Sequence, residues 1–150
     1  MHLGLPEMDI EQLNIYRGDE QMEITHNVVG WFEIPVSNMN RAVKFYETLF
    51  GFKLDIQKMG PLDMAWFPSF EKEIGSPGSL VYAPDFYQPR DNGTLVYFTA
   101  FSGDLNNELS RVTTGGGKVL QKKTLISDDI GYMAVILDSE GNRIALHSRK

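Results

Sequence analysis

Few residues in this 150-residue chain could do chemistry, and their types bound what that chemistry is. There is no cysteine, which excludes disulfides, thiolate metal sites and cysteine nucleophiles. Of the three histidines, His2 and His26 lie outside the patterned part of the chain and read as surface residues. His147 falls in a strand-like run, Arg143 to Ser148. Alternation along strands puts His147 on the face of Ala145, Glu33 on the face of Trp31 and Thr99 beside Tyr97. A carboxylate and an imidazole such as Glu33 and His147 act as an acid–base pair only within hydrogen-bond reach of one another. Gly115-Gly116-Gly117 invites a phosphate-loop reading. It follows a helical pattern instead of opening one, and no Lys-Ser or Lys-Thr completes it, so a helix stop is the expected use.

The elements that must position these residues centre on Trp31 to Gly51, a strand, a capped turn and an amphipathic helix. Trp31 to Val36 is rich in aromatic and β-branched residues, as a half-buried strand should be. Ser37 or Asn38 supplies a helix cap. Met39, Ala42, Val43, Tyr46, Leu49 and Phe50 share one helical face, and Gly51 closes the helix. The pattern returns without a gap. Trp31-Phe32 falls on Tyr97-Phe98, Asn38 on Asp104, Val43 on Leu109, Tyr46 on Val112, Gly51 on Gly117 and Leu54 on Leu120. Strands are expected over 52–57, 64–67 and 79–83 in the first copy, and over 94–101, 119–126, 132–137 and 143–148 in the second. Pro84 to Asn92 links the copies, and each copy is βαβββ. Met1 to His26 precedes them as a tail or an arm, with a short helical turn expected at Asp9–Leu13 and a turn at Asp19-Glu20.

Bulk properties set outer limits. At 42% hydrophobic and 23% charged, the chain is ordinary globular material of one domain's length. A formal charge of −6 and a pI near 5.0 argue against nonspecific nucleic-acid binding and are compatible with a cationic guest. The N-terminus has no basic segment followed by an apolar run, and no stretch approaches a membrane span. A cytoplasmic protein is expected, with no nucleic-acid or membrane partner.

The F-Y-x-x-L-F-G run (Phe45 to Gly51) and the closing D-x-x-G-N-R-I-A-L (Asp138 to Leu146), set at the two ends of a doubled βαβββ, resemble the vicinal oxygen chelate superfamily. This is the glyoxalase, bleomycin-resistance and extradiol-dioxygenase group. The resemblance covers roughly residues 28 to 148. It implies an α+β fold in which two tandem modules (28–84 and 93–149), after an extension of residues 1–27, curl a mixed sheet into a concave cup. It also implies a divalent metal held by side chains from the first and last strands of each copy. Those positions fall here on Trp31, Tyr97, Ala145 and, in Ser79 to Ala83, Val81. None supplies the oxygen or imidazole donor that such a metal requires. Glu33 and His147 alone make a poor site, so neither a metal nor another cofactor is expected.

The same positions describe a ligand cup: Trp31 and Tyr97 as aromatic walls, with Glu33, Thr99 and His147 as converging polar groups. The leading expectation is a metal-free protein of the glyoxalase/bleomycin-resistance type that binds a small molecule, as a homodimer. One alternative is a metal-dependent lyase/isomerase or dioxygenase-type enzyme of the same superfamily. Another is a non-catalytic dimerisation or regulatory module whose cup is closed by aromatic core.

Overall fold

The strongest local signal in the sequence forms the element it predicts. In the computed structural model, β3 (Phe32–Pro35) turns Ile34 into the core and leads to helix α1 (Met39–Phe50). Asn38 is the cap: its backbone is extended and its side-chain oxygen accepts from the Arg41 amide at 3.0 Å. Gly51 ends the helix at φ 77°, a conformation that costs glycine little. In the second copy Asp104 caps α2 (Leu105–Gly115), accepting from the Asn106 amide at 3.0 Å.

The two copies differ at the helix end. Helix α2 has 11 residues where α1 has 12, and it stops at Gly116, φ 100°. The counterpart of Gly51 is therefore Gly116 and not Gly117, so the ungapped repeat slips by one. Leu54 is buried while Leu120 is exposed, and Val119 packs against the core in its place.

The structure describes residues 15–17, 20–22 and 25–150. The chain divides into two compact units, Met1–Gly30 and Trp31–Lys150. In the first, β1 (Ile15–Arg17) and β2 (Glu20–Met22) pair antiparallel, a pairing the sequence reading did not anticipate, and Glu20 lies in β2. The helical turn expected at Asp9–Leu13 lies outside the described residues, as does Asp19.

The second unit adds β4 (Asp55–Met59), β5 (Leu62–Trp66), β6 (Gly78–Tyr82), β7 (Tyr97–Thr99), β8 (Lys118–Ser127), β9 (Gly131–Leu137) and β10 (Arg143–Ser148). These form two four-stranded sheets of identical topology, ordered β3-β6-β5-β4 and β7-β10-β9-β8. In each, the first strand of the module runs parallel to the last and the other pairs are antiparallel. This is the α+β fold of two tandem βαβββ modules. Strand β4 starts later than expected because Phe52 stacks on Phe50, ring centroids 5.1 Å apart, instead of entering the ladder. Only three residues of the expected 94–101 strand pair, as β7.

One hydrophobic cluster draws on both modules, from Ile34, Phe45, Tyr46 and Leu80 to Val112, Ile136, Ile144 and Leu146. Phe45, absent from the apolar face read in the sequence, is fully buried. The triple glycine is its seat. A Cβ on Gly117 would stand 2.6 Å from the Phe45 ring and 2.5 Å from the Leu137 carbonyl oxygen, and one on Gly115 would stand 3.0 Å from that ring. Gly117→Ala is expected to destabilise the fold by about 1–3 kcal/mol through overpacking. Urea unfolding would show this as a lowered midpoint at unchanged slope.

Polar groups reinforce the junction. Tyr46, buried, donates to Asp138 Oδ2 at 2.7 Å, and Asn142 Nδ2 donates to the Pro35 carbonyl at 2.7 Å. Glu140 reaches the start of α1, where its carboxylate accepts from the Ser37 and Asn38 amides at 3.0 and 2.8 Å. It also accepts from Arg41 Nε at 2.7 Å and from Ser139 Oγ at 2.9 Å.

Candidate functional site

Each sheet has one face covered by its helix and one face free of it. Helix α1 packs on β5 and β6, and α2 on β8, β9 and β10. Strand alternation then decides which residues reach the free faces. On the first sheet, Ile34, Ala65 and Leu80 enter the main core, so Glu33, Met64, Trp66, Ser79 and Val81 turn the other way. On the second, Phe98, Ile144 and Leu146 enter the core, leaving Tyr97, Thr99, Ala145 and His147 on the opposite face.

The five residues marked in the sequence fall into separate groups. Trp31 and Glu33 share a cluster on the first sheet, where the Trp31 indole Nε1 donates to Glu33 Oε1 at 3.4 Å. Trp31 also meets Trp66 edge-on, ring centroids 5.5 Å apart. Tyr87, from the segment between the modules, packs on Met64, Val81 and Ala83 and donates its hydroxyl to Glu33 Oε2 at 2.5 Å. That bond, first, and burial, second, hold the Tyr87 hydroxyl above its ordinary pKa of 10.0. Two polar groups of this cluster, Trp66 Nε1 and Ser79 Oγ, are buried without a hydrogen-bond partner. Trp66, Ser79 and Tyr87 were not marked in the sequence. Trp66 and Ser79 come from neighbouring strands and Tyr87 from an unpatterned linker, so no local spacing joins them to Trp31.

Tyr97, Thr99 and His147 belong to the second sheet, where His147 stands opposite Thr99 and Ala145 opposite Tyr97. The His147 ring is half-buried, and its Nε2 lies 2.7 Å from the Ile130 carbonyl oxygen. A carbonyl only accepts, so Nε2 carries the proton there. Glu33 and His147 thus have separate partners on separate sheets and make no hydrogen bond to each other. Tyr97 and Thr99 line a cavity of about 410 Å³ between the 68–77 loop and β7. Its walls are Phe32, Phe52, Phe67, Phe70, Phe98 and Phe101. The rings of Phe32 and Phe98, one from each module, sit 5.8 Å apart in its lining.

The sequence model of the Glyoxalase/Bleomycin resistance protein/Dioxygenase superfamily matches residues 28–146, most of the chain and both modules. The chain belongs to that superfamily. A glyoxylase-like domain-containing protein of Didymella fabae is 26% identical over 132 residues, 84% of this chain and 97% of that protein. Among solved structures, a glyoxalase/bleomycin resistance protein of Albidiferax ferrireducens superposes with a TM-score of 0.59 at 16% identity, covering 83% of this chain and 100% of that one. An antibiotic binding protein of a Streptomyces species is 26% identical, with a TM-score of 0.56, and covers 86% of this chain and 99% of that one.

The metal that this superfamily implies does not fit the residues present. At the implied positions Trp31 and Tyr97 offer an indole and a phenol, and Ala145 and Val81 are fully buried hydrocarbon. Sheet register also separates Val81 from the role given to it by the repeat. Val81 pairs with Pro35, whereas Ser79 stands opposite Glu33 as His147 stands opposite Thr99. Among the described residues, no three histidine, aspartate or glutamate side chains come together as a metal-binding group. No described helix is long and apolar enough to cross a membrane.

Proposed function

We propose that this superfamily member binds a small, largely apolar aromatic molecule reversibly in the phenylalanine-walled cavity. The observation that carries this reading is the cavity itself, about 410 Å³ with six phenylalanines in its lining. That size lies within the roughly 300–1,000 Å³ usual for small-molecule pockets. Aromatic rings meeting edge-on or tilted, as Phe32, Phe52, Phe67 and Phe98 do, give shaped apolar walls that favour a flat guest.

Polar contacts for such a guest come from one side. Tyr97 and Thr99 border the cavity, and β7 is an edge strand whose single partner is β10. The Ala100 amide donates to His147 and the Val96 carbonyl accepts from Ala145, so the main-chain groups of Tyr97 and Thr99 alternate away from β10. They can orient a ligand without specifying it alone. The similarity to an antibiotic binding protein supports a sequestering role of the same general kind.

Binding is tested with the neutral fluorophore N-phenylnaphthylamine and two wall variants. Phe101 and Phe70 are largely solvent-exposed, at 71% and 76%, so Phe101→Asp and Phe70→Asp should leave the fold intact. Each is expected to weaken dye binding about tenfold, equivalent to about 1.4 kcal/mol. Full affinity in both variants, with unchanged far-UV circular dichroism, would remove the cavity from the reading.

A further inference from the structure

The phenylalanine cavity has one charged residue in its lining, and the sign of that charge is informative. Glu73 borders the space with the phenylalanines, while no lysine, arginine or histidine among the described residues does. Its place comes from a turn in the 68–77 loop, in which the Glu73 amide donates to the Phe70 carbonyl at 3.4 Å. A carboxylate and an aromatic residue thus border the same space. Glu73 enters no ion pair among the described residues, and Lys72, its neighbour in sequence, lies outside the lining.

The aromatic walls act in the same sense as the carboxylate. The face of a ring is the negative end of its quadrupole, so a cation within about 6 Å of a ring centroid is attracted to it. These walls stand at steep angles, Phe52 to Phe67 at 90° and Phe52 to Phe101 at 75°, which presents ring faces in more than one direction. A carboxylate at the border adds a Coulomb attraction for cations and repels anions. The kind of cation follows from the scarcity of acceptors. A primary ammonium has three N–H donors to satisfy, and phenylalanine walls satisfy none of them. A quaternary ammonium carries its charge behind methyl groups and has no donor to leave unpaired.

We infer that the guest of this cavity is an aryl quaternary ammonium, its aromatic body against the phenylalanines and its cationic head between ring faces and Glu73. The inference rests on the cavity being the binding site, as proposed above, and adds the guest's charge to that reading. The formal net charge of −6 favours approach of the same class of molecule, but only Glu73 places that charge at the cavity.

The probes are 3-(trimethylammonio)phenol and 3-tert-butylphenol, which share a shape and differ in a cationic nitrogen for a carbon. Calorimetry reads the affinity of each, and competition with N-phenylnaphthylamine reads the seat. The cation should displace the dye and bind at least about tenfold more tightly than its neutral isostere. Glu73→Gln should cut that ratio at least about fivefold. Glu71→Gln removes an equal charge from the same exposed loop, outside the cavity lining, and should leave the ratio unchanged. A full ratio in Glu73→Gln would overturn the inference. So would an equal loss in Glu71→Gln, which would mean that net charge alone draws the cation. A cation that binds no more tightly than 3-tert-butylphenol would also overturn it. With the dye still bound, and weakened in Phe70→Asp, that last result would leave the cavity reading standing. If the dye and both phenols failed to bind the folded protein, the reading and the inference would fall together.

Discussion

Replacing Glu140 with alanine is expected to lower the unfolding free energy by about 2–4 kcal/mol, less than the figure for a fully buried pair because Arg41 can recover water. The Glu140 side chain is wholly buried, whereas that of Arg41 is 51% exposed. The loss falls mainly on the amides of Ser37 and Asn38, which the carboxylate satisfies at 3.0 and 2.8 Å. In a capping box the residue three beyond the cap turns back to hold the cap amide. That position here is Arg41, which cannot accept a hydrogen bond, and Glu140 performs the task from 102 positions away in sequence. Calorimetry or urea unfolding would measure the effect, and a change near zero would show that water caps the helix equally well.

The same carboxylate makes an acid-stability prediction. Burial by itself would raise its pKa, but hydrogen bonds from Arg41, then Asn38, Ser139 and Ser37, outweigh burial and bring it to about 2 from an ordinary 4.5. A depressed carboxylate contributes stability that is fully present above 4.5 and is lost as pH falls toward 2. Asp138 acts in the opposite sense. Burial raises it above 3.8 despite the hydrogen bonds from Tyr46 and Asn142, so its protonation favours the folded state as pH drops toward 3.8. The expected profile is shallow down to about pH 4.5 and then steep. In Glu140→Gln the steep limb should flatten, leaving the smaller acid losses at Glu47 and Asp104, which Lys53 and the Asn106 amide hold below their ordinary values, and the opposing contribution of Asp138.

Phe45→Ala should be at least as damaging, at about 3–5 kcal/mol for a fully buried phenylalanine. Its ring fills the space left open by Gly115 and Gly117, so the two sides of the contact are coupled. Combining Phe45→Ala with Gly117→Ala should therefore cost less than the two changes added together, by about 0.5 kcal/mol or more. Additive losses in urea unfolding would show that the Leu137 carbonyl, and not the ring, sets the penalty at Gly117.

These residues also show what the sequence could and could not reveal. Asn38, Gly51 and Asp104 were legible because capping and helix termination are local: each signal lies within a few positions of the element it ends. Phe45 was missed because α1 buries more than a single narrow stripe. One side meets the sheet and another meets the glycines at the end of α2, and a face defined by 39, 42, 43, 46, 49 and 50 omits the second contact. The repeat disclosed the doubled fold, yet its register slipped at Gly116 because loss of a single helical residue leaves the apolar pattern almost unchanged. At the candidate sites, the shared face of Trp31 and Glu33 followed from strand alternation. The arrival of Tyr87 on Glu33 did not, since a linker tyrosine among prolines carries no period. Likewise, Asp138 to Asn142 read well as a turn, but the side chain it sends to the other module is a tertiary fact.

The cap supplied by Glu140 also bears on how the chain is made. When the ribosome has released the first module alone, α1 has Asn38 to hold the Arg41 amide but nothing to hold those of Ser37 and Asn38. The seat for Phe45 is likewise unbuilt until Gly115 and Gly117 emerge. The nascent first half therefore waits on the second for the start of its helix and for one of its largest core side chains. Two copies of one topology are thus unequal halves, because the ties between them run from dissimilar residues.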